Sequence, residues 1–407
     1  MYNMICIIFV SLPSNHCKLL DMSEIKNPFI VKGRIPPAYF CDRVAETEKL
    51  TRELLNGNDV VIMSSRRLGK TGLIQHCFEQ PVISDQYYTF FVDILETSSL
   101  QEFTYKLSLQ IYEAVKPLGR KFVDLFVKSL KSLQAGWTYD ALSGMPKLTL
   151  SMGAFVEPEV TLGEIFNMLE KANKRCIVAI DEFQQIAKYP EKNVEAVLRG
   201  YIQHLSNCDF IFAGSERHLL AEMFTTYGRP FYNSTVSMHL DPILKERYVE
   251  FVETNFQQFK KSIEKDLIGK IYNLCEGNTF CMQKMFNTAF AMTKRECTPE
   301  IMEQALIDIL SDKERDFQNL LSHISSRTKE LLFAIAVDGF VDRPTSVSFM
   351  RCHQLYSASS NQYSLRQLMN DDLITFDFNA KGKKVYRLSD PFLRMWIRQA
   401  LGYGIGE

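Results

Sequence analysis

Through the first 240 residues, short continuous apolar runs alternate with longer stretches of helical period. Val60-Val61-Ile62-Met63 is a run of the kind that fills a strand covered on both faces. Residues 87–95, 176–180, 210–213 and 236–240 read as four more strands. Between them, helical spacing is expected over residues 43–56, 70–79, 98–115, 162–172 and 193–206. Strands that alternate with helices require right-handed crossovers, so the expected fold is α/β: a mainly parallel sheet with helices on both faces. Residues 117–158, broken by Gly136, Gly144, Pro146 and Gly153, read as an insertion on that scaffold.

The pattern changes after Asp241. Residues 246–310 show helical period only. From Arg327 three short helical patterns precede Leu373-Ile374-Thr375-Phe376, a Lys/Gly turn and Val385-Tyr386-Arg387-Leu388. Three helices and a hairpin make a winged helix. The expected division is residues 25–243 for the α/β domain, 244–325 for a helical lid and 326–407 for the winged helix. Residues 1–24 contain a short apolar run, Ile5 to Leu12, with no Lys or Arg before it and no small-residue cleavage site after it. Met22 is read as the start of the chain proper, leaving residues 1–24 as a misplaced gene start or a disordered N-terminus. No run of 18 apolar residues occurs, so no membrane contact is expected and a cytoplasmic location is.

Composition narrows the chemistry. Of 407 residues, 47 are Lys or Arg and 48 are Asp or Glu, a net charge of −1, so no chain-wide basic field draws nucleic acid. The ten cysteines form no C-x-x-C pair and the seven histidines no H-E-x-x-H, which argues against zinc. Cys176 and Cys208 sit inside apolar runs and read as reduced core cysteines.

Ser64-Ser65-Arg66-Arg67-Leu68-Gly69-Lys70-Thr71 follows the first strand and opens a helix. That context suits a phosphate loop. Backbone N–H groups of the loop and helix N-terminus surround phosphates, and Gly69 allows close approach. Lys70 reaches the β- and γ-phosphates of ATP, and the Thr71 hydroxyl ligates Mg²⁺. Ser64 stands where such loops carry their first glycine, which is expected to alter the turn. An apolar strand ending in Asp181-Glu182 lies 110 residues after Lys70. A carboxylate at the end of a strand adjacent to the loop can hold the Mg²⁺ shell; a second can activate water. Asp181 is the metal-side candidate and Glu182 the general base. The fourth strand is expected beside the phosphate-loop strand, so Ser215 at its tip is a candidate γ-phosphate sensor or the N-cap of the helix after it.

Phe40-x-x-Arg43-x-x-Glu46, Arg66 to Thr71, Ile180-Asp181-Glu182-Phe183-Gln184, Ala213-Gly214-Ser215 and Asp390-Pro391-Phe392-x-x-x-Trp396 occur in this order. Together they resemble the archaeal-type ATPases, P-loop proteins of the AAA+/STAND group, over residues 25 to 400. The resemblance implies an ATP-binding core, a helical lid and a winged helix. It places the segment of Arg43 near the adenine. It also implies a lid contact to nucleotide at Glu276-Gly277-Asn278-Thr279, with Thr279 where related proteins carry Pro. Arg217 and Arg229 fall where relatives carry an arginine finger, and Arg229 is the preferred candidate.

Two functions compete. One is a slow, Mg²⁺-dependent ATPase acting as a molecular switch, with ATP and ADP as ligands and an oligomer or protein partner as the receiver. The other is a DNA-binding winged-helix regulator in which ATP is structural. The expected recognition helix, residues 362–369, carries one cation, Arg366, and is followed by Asp371-Asp372. Residues 381–398 hold six Lys or Arg (381, 383, 384, 387, 394, 398) against Asp390. Weak DNA contact through Lys381, Lys383 and Lys384 is expected at most, and the module's main role is expected to be intramolecular. A P-loop kinase is disfavoured, because no second substrate motif is visible.

Overall fold

The structure is a computed structural model that describes residues 26–118, 120–132, 137–139, 146–148, 156–379 and 382–404. The expectations for residues 1–24 and for Lys381 lie outside them. Five parallel strands form the central sheet: β1 Val60–Met63, β2 Tyr87–Asp93, β3 Arg175–Asp181, β4 Cys208–Gly214 and β5 Val236–His239, in the order β2-β3-β4-β1-β5. Each expected strand is present. The chain leaves β1, crosses to the far edge at β2 and fills back toward the centre. β4 therefore lies beside the phosphate-loop strand β1 and separates it from the acidic strand β3. β4 is buried along its whole length, with the apolar run Phe210 to Ala213 at its centre, and takes the central place because it is covered on both faces.

Helices α1 Val44–Leu55, α2 Lys70–Phe78, α3 Leu100–Val115, α4 Arg120–Ser129, α5 Pro158–Glu170, α6 Val194–Ile202 and α7 Arg217–Thr225 flank the sheet. Alternate residues of β4 divide between two cores. Phe210 and Phe212 join Phe103, Phe166 and Phe183 on one face; Ile211 and Ala213 join Leu50, Leu73 and Ile74 on the other. The Phe183 and Phe212 rings lie 4.5 Å apart, which fixes the chain just after Glu182 against the sheet. The insertion contributes a short antiparallel pair, Trp137–Tyr139 with Pro146–Leu148.

The lid comprises α8 Lys245–Gln258, α9 Lys265–Leu274, α10 Thr279–Met292 and α11 Pro299–Ser322. A two-residue parallel pair, Ser262–Ile263 with Glu296–Cys297, ties its loops together, where helical period alone was expected. A pairing that short leaves no periodic signal. The winged helix follows: α12 Ser326–Asp338, α13 Val347–Cys352, α14 Ala358–Asn370, β6 Ile374–Phe378, β7 Lys384–Leu388 and α15 Pro391–Ala400. Ser325, Ser346 and Ser357 cap its first three helices, each accepting a backbone N–H three residues on. Lid and winged helix share one core, from Phe256 and Phe286 through Leu331 and Ile335 to Phe392. Phe29 belongs to it as well, with its ring 5.6 Å from that of Phe286. Among the described residues no helix is long and apolar enough to cross a membrane.

Candidate functional site

β1 delivers the loop to the carboxyl edge of the sheet. Ser64 is fully buried and is not among the residues with left-handed backbone; Arg67 (φ 64°) and Gly69 (φ 94°) make the turn. Serine at position 64 thus costs no backbone strain. Gly69 leads into α2, whose N-terminus has no side-chain cap. An added Cβ at Gly69 would meet nothing within 4 Å. Uncapped N–H groups beside open space form the cradle that a phosphate chain needs.

The loop borders a cavity of about 400 Å³. Gly69, Lys70, Thr71, Asp181 and Glu182 line one part of it, and Ile30, Val31, Ile35, Phe280 and Gln283 another. Its size is that of a small-molecule site. The Thr71 hydroxyl, in the first turn of α2, donates to Asp181 Oδ2 at 2.7 Å, although β4 lies between β1 and β3. Lys70 and Asp181 are each 5% exposed.

The adjacent carboxylates differ. Burial pushes the Asp181 carboxyl above its ordinary range, while Lys70 and the Thr71 hydroxyl pull against it. Burial also opposes ionisation of Glu182, but Lys70 and the donors around it outweigh that, so its pKa lies below the ordinary value. Those donors converge on Oε2: Gln184 Nε2 at 2.6 Å, Ser215 Oγ at 2.8 Å and the Ser215 backbone N–H at 3.2 Å. Glu182 itself has φ 57°, the left-handed bend that turns it out of β3 toward Ser215. Thr71 and Asp181 supply two oxygens of hard-cation type; Mg²⁺ held there would take its other ligands from phosphate and water.

Ser215 is not the N-cap expected of it. α7 begins after Glu216 with no side-chain cap, and the Ser215 hydroxyl is used on Glu182. Ser215 lines a small neighbouring recess with Ser65, Arg66 and Leu68 rather than the main cavity. Arg43, left-handed and 4% exposed, also lies outside that cavity lining. Its guanidinium donates to the Leu68 carbonyl at 3.2 Å and pairs with Glu46 at 2.7 Å, so it braces the loop from beneath. Arg229 is not brought to the site. It pairs with Glu195 at 2.9 Å and lines a separate cavity. Arg217 pairs with Asp377 of the winged helix.

The lid reaches the loop despite Thr279 replacing Pro. The Thr279 hydroxyl donates to the Leu68 carbonyl at 3.4 Å, and the Phe280 N–H to the Arg67 carbonyl at 3.3 Å. The winged helix reaches it too. Arg66 pairs with Asp372 at 2.6 Å and Arg67 with Asp390 at 2.7 Å. Glu276 of the lid takes Arg387 and Arg394 together, and the His218 ring stacks on Phe376 at 3.9 Å. Sequence reasoning missed these pairings and the wall at Ile30, Val31 and Ile35. The one available signal for the wall was an apolar run, Phe29-Ile30-Val31, that fits neither period.

The family described as an ATPase domain predominantly from Archaea matches residues 40–285, and one described as "Probable winged helix domain" matches residues 315–399. No curated protein matches the chain. Among solved structures, a Walker-type ATPase of Pyrococcus abyssi is similar at 19% identity, with 91% of this chain and 99% of that one covered and a TM-score of 0.64. The ORC2 protein of Aeropyrum pernix, in ADPNP–ADP complexes, is similar at 15% identity, with 93% and 98% covered and a TM-score of 0.57. At such identities these likenesses speak for the fold. The family match runs from Phe40, ahead of α1, to Met285 in the lid, more than half of the sequence, and the chain therefore belongs to the ATPase family found predominantly in Archaea.

Proposed function

We propose that the chain binds ATP with Mg²⁺, hydrolyses it slowly, and uses the bound state to set the position of its lid and winged helix. The observation that carries the reading is the 2.7 Å bond between Thr71 and Asp181 beside the buried Lys70. Lys70 would compensate the β- and γ-phosphate charge, Thr71 and Asp181 would hold the metal side, and Glu182 would orient and deprotonate water through its free oxygen. The uncapped α2 N-terminus supports this assignment, as do Gly69 and the cavity volume.

The switch rests on Arg66 and Arg67. Both line the cavity, and both pair with acids of the winged helix. Bound phosphate competes with Asp372 and Asp390 for them, so nucleotide and winged helix are coupled. Sheet order, lid and winged helix favour the AAA+/STAND assignment, and we place the protein in the cytoplasm. Arg229, turned away from this chain's cavity, would act only across a contact with a second copy.

The DNA-regulator alternative rests on α14, which exposes Gln362, Tyr363 and Arg366. The wing and the helix after it speak against it as a main role. Arg387 and Arg394 are held by Glu276, and Arg398 donates to the Val337 and Gly404 carbonyls. Lys384 lies over the Phe376 ring. The test is nucleotide binding and hydrolysis measured with and without DNA. Mg²⁺-dependent turnover that DNA leaves unchanged supports the switch; turnover or nucleotide affinity that requires DNA supports the regulator.

A further inference from the structure

We propose that Gln283 reads the base of the bound nucleotide by accepting a hydrogen bond from the 6-amino group of adenine. The inference rests on the ATP-binding reading above and adds the residue that selects the base.

Thr279, Gln283 and Asn287 stand four residues apart on α10 and so share one face of the helix. The first and last of them are anchored. Thr279 donates to the Leu68 carbonyl, which fixes this end of the helix on the phosphate loop. Asn287 donates to the Phe29 carbonyl at 2.6 Å, and its own carbonyl accepts from Asn27 at 2.9 Å. That end therefore fixes the segment that continues into Ile30, Val31 and Ile35, the apolar wall of the cavity. Gln283 lies between the anchors, about 6 Å along the axis from Thr279. It lines the same cavity and is 7% exposed. Its Oε1 is buried without a hydrogen-bond partner.

A buried amide oxygen left unpaired costs free energy and calls for a partner, and here the open side is the ligand space. The surroundings restrict what that partner is. Lys70 and the loop amides take the charged end of a nucleotide. The apolar wall beyond them suits a flat ring. A carboxamide beside the ring recognises an exocyclic amino group next to a ring nitrogen, the donor–acceptor pattern of adenine. Guanine and hypoxanthine carry a carbonyl at that position, so neither can donate to Oε1 there unless the amide turns over to present Nε2.

The test is calorimetric binding to the full chain with Mg²⁺, using ATP, inosine triphosphate and purine riboside triphosphate, which lacks the 6-amino group. The unaltered chain is expected to prefer ATP to purine riboside triphosphate by about tenfold or more, with inosine triphosphate showing whether the amide turns over. Gln283→Leu is expected to bind ATP and purine riboside triphosphate alike, with the 6-amino preference gone. Equal affinities for ATP and purine riboside triphosphate in the unaltered chain, or a preference that survives in Gln283→Leu, overturn the inference while leaving ATP binding in place. Failure of the unaltered chain to bind any of the three overturns the nucleotide reading itself, and this inference with it. The comparison of ligands on the unaltered chain needs no substitution, so it decides even if Gln283→Leu does not fold.

Discussion

The guanidinium of Arg67, in the loop that borders the cavity, lies 2.7 Å from the carboxylate of Asp390, which caps the last helix of the winged helix. These residues are 323 positions apart. The contact joins the phosphate-binding end of the molecule to its far domain, and Arg66–Asp372 repeats it. Both pairs are partly exposed, so each adds little to stability, on the order of 0–1 kcal/mol. Their interest lies in competition with phosphate. Asp372→Asn and Asp390→Asn are expected to tighten ATP binding, each by up to about fivefold, on the order of 0–1 kcal/mol. Titration calorimetry checks this at two salt concentrations. Unchanged affinity in the double variant would remove the coupling.

Lys70→Ala is expected to abolish measurable ATP binding, a loss of about a hundredfold or more. Without its ammonium the β- and γ-charges are left uncompensated. Retained affinity would refute the phosphate site.

Glu182→Gln is expected to keep ATP binding and lower turnover by about 10²–10⁴-fold, because the amide keeps the shape and cannot accept the proton. Turnover at the parent rate would leave Glu182 as a strand-end residue.

Ser215→Ala tests the pH dependence. Against burial, Lys70 and the donors Gln184 and Ser215 hold the Glu182 carboxyl below its ordinary pKa. Removing the Ser215 hydroxyl raises that pKa, so the acid side of the rate profile moves to higher pH. A rate–pH profile of the variant against the parent measures it, and a profile that stays in place shows that Glu182 ionisation does not limit turnover.

Asp59 offers a stability test away from the site. Burial pushes its carboxyl up to about 6, and the Asp209 charge adds to this, while the Phe210 N–H and Arg199 pull it down. The folded state therefore binds the proton more tightly than the unfolded state. The stability this gives is full below about pH 3.9 and lost as pH rises through 6. Asp59→Asn keeps an acceptor for the Phe210 N–H, now at 2.8 Å, and removes the charge. It is expected to stabilise the fold above pH 6, on the order of 1–2 kcal/mol, with the gain shrinking toward pH 4. Thermal unfolding across pH 4–8 checks the sign.

The amino-acid sequence by itself determined the five strands, the helices between them, the phosphate loop and the acidic pair. Each is a local pattern: an apolar run of strand length, a glycine ahead of Lys-Thr, a strand ending in two carboxylates. Local patterns survive because backbone geometry over ten residues follows from the residues themselves. The full order of the strands was not among them, although the fourth was expected beside the first. β4 separates β1 from β3 because the chain fills the sheet from its edge inward, and that is set by how whole helices cover the two faces. Nor could sequence assign Ser215 to Glu182, place Arg43 beneath the loop, or bring Ile30 and Gln283 to one cavity. Those side chains meet from elements tens to hundreds of residues apart, and only packing decides their neighbours. Arg66 and Arg67 show the division most clearly. As letters in a loop they are phosphate ligands; in the folded chain each already faces a carboxylate more than 300 residues away, and that closeness is a property of the tertiary structure alone.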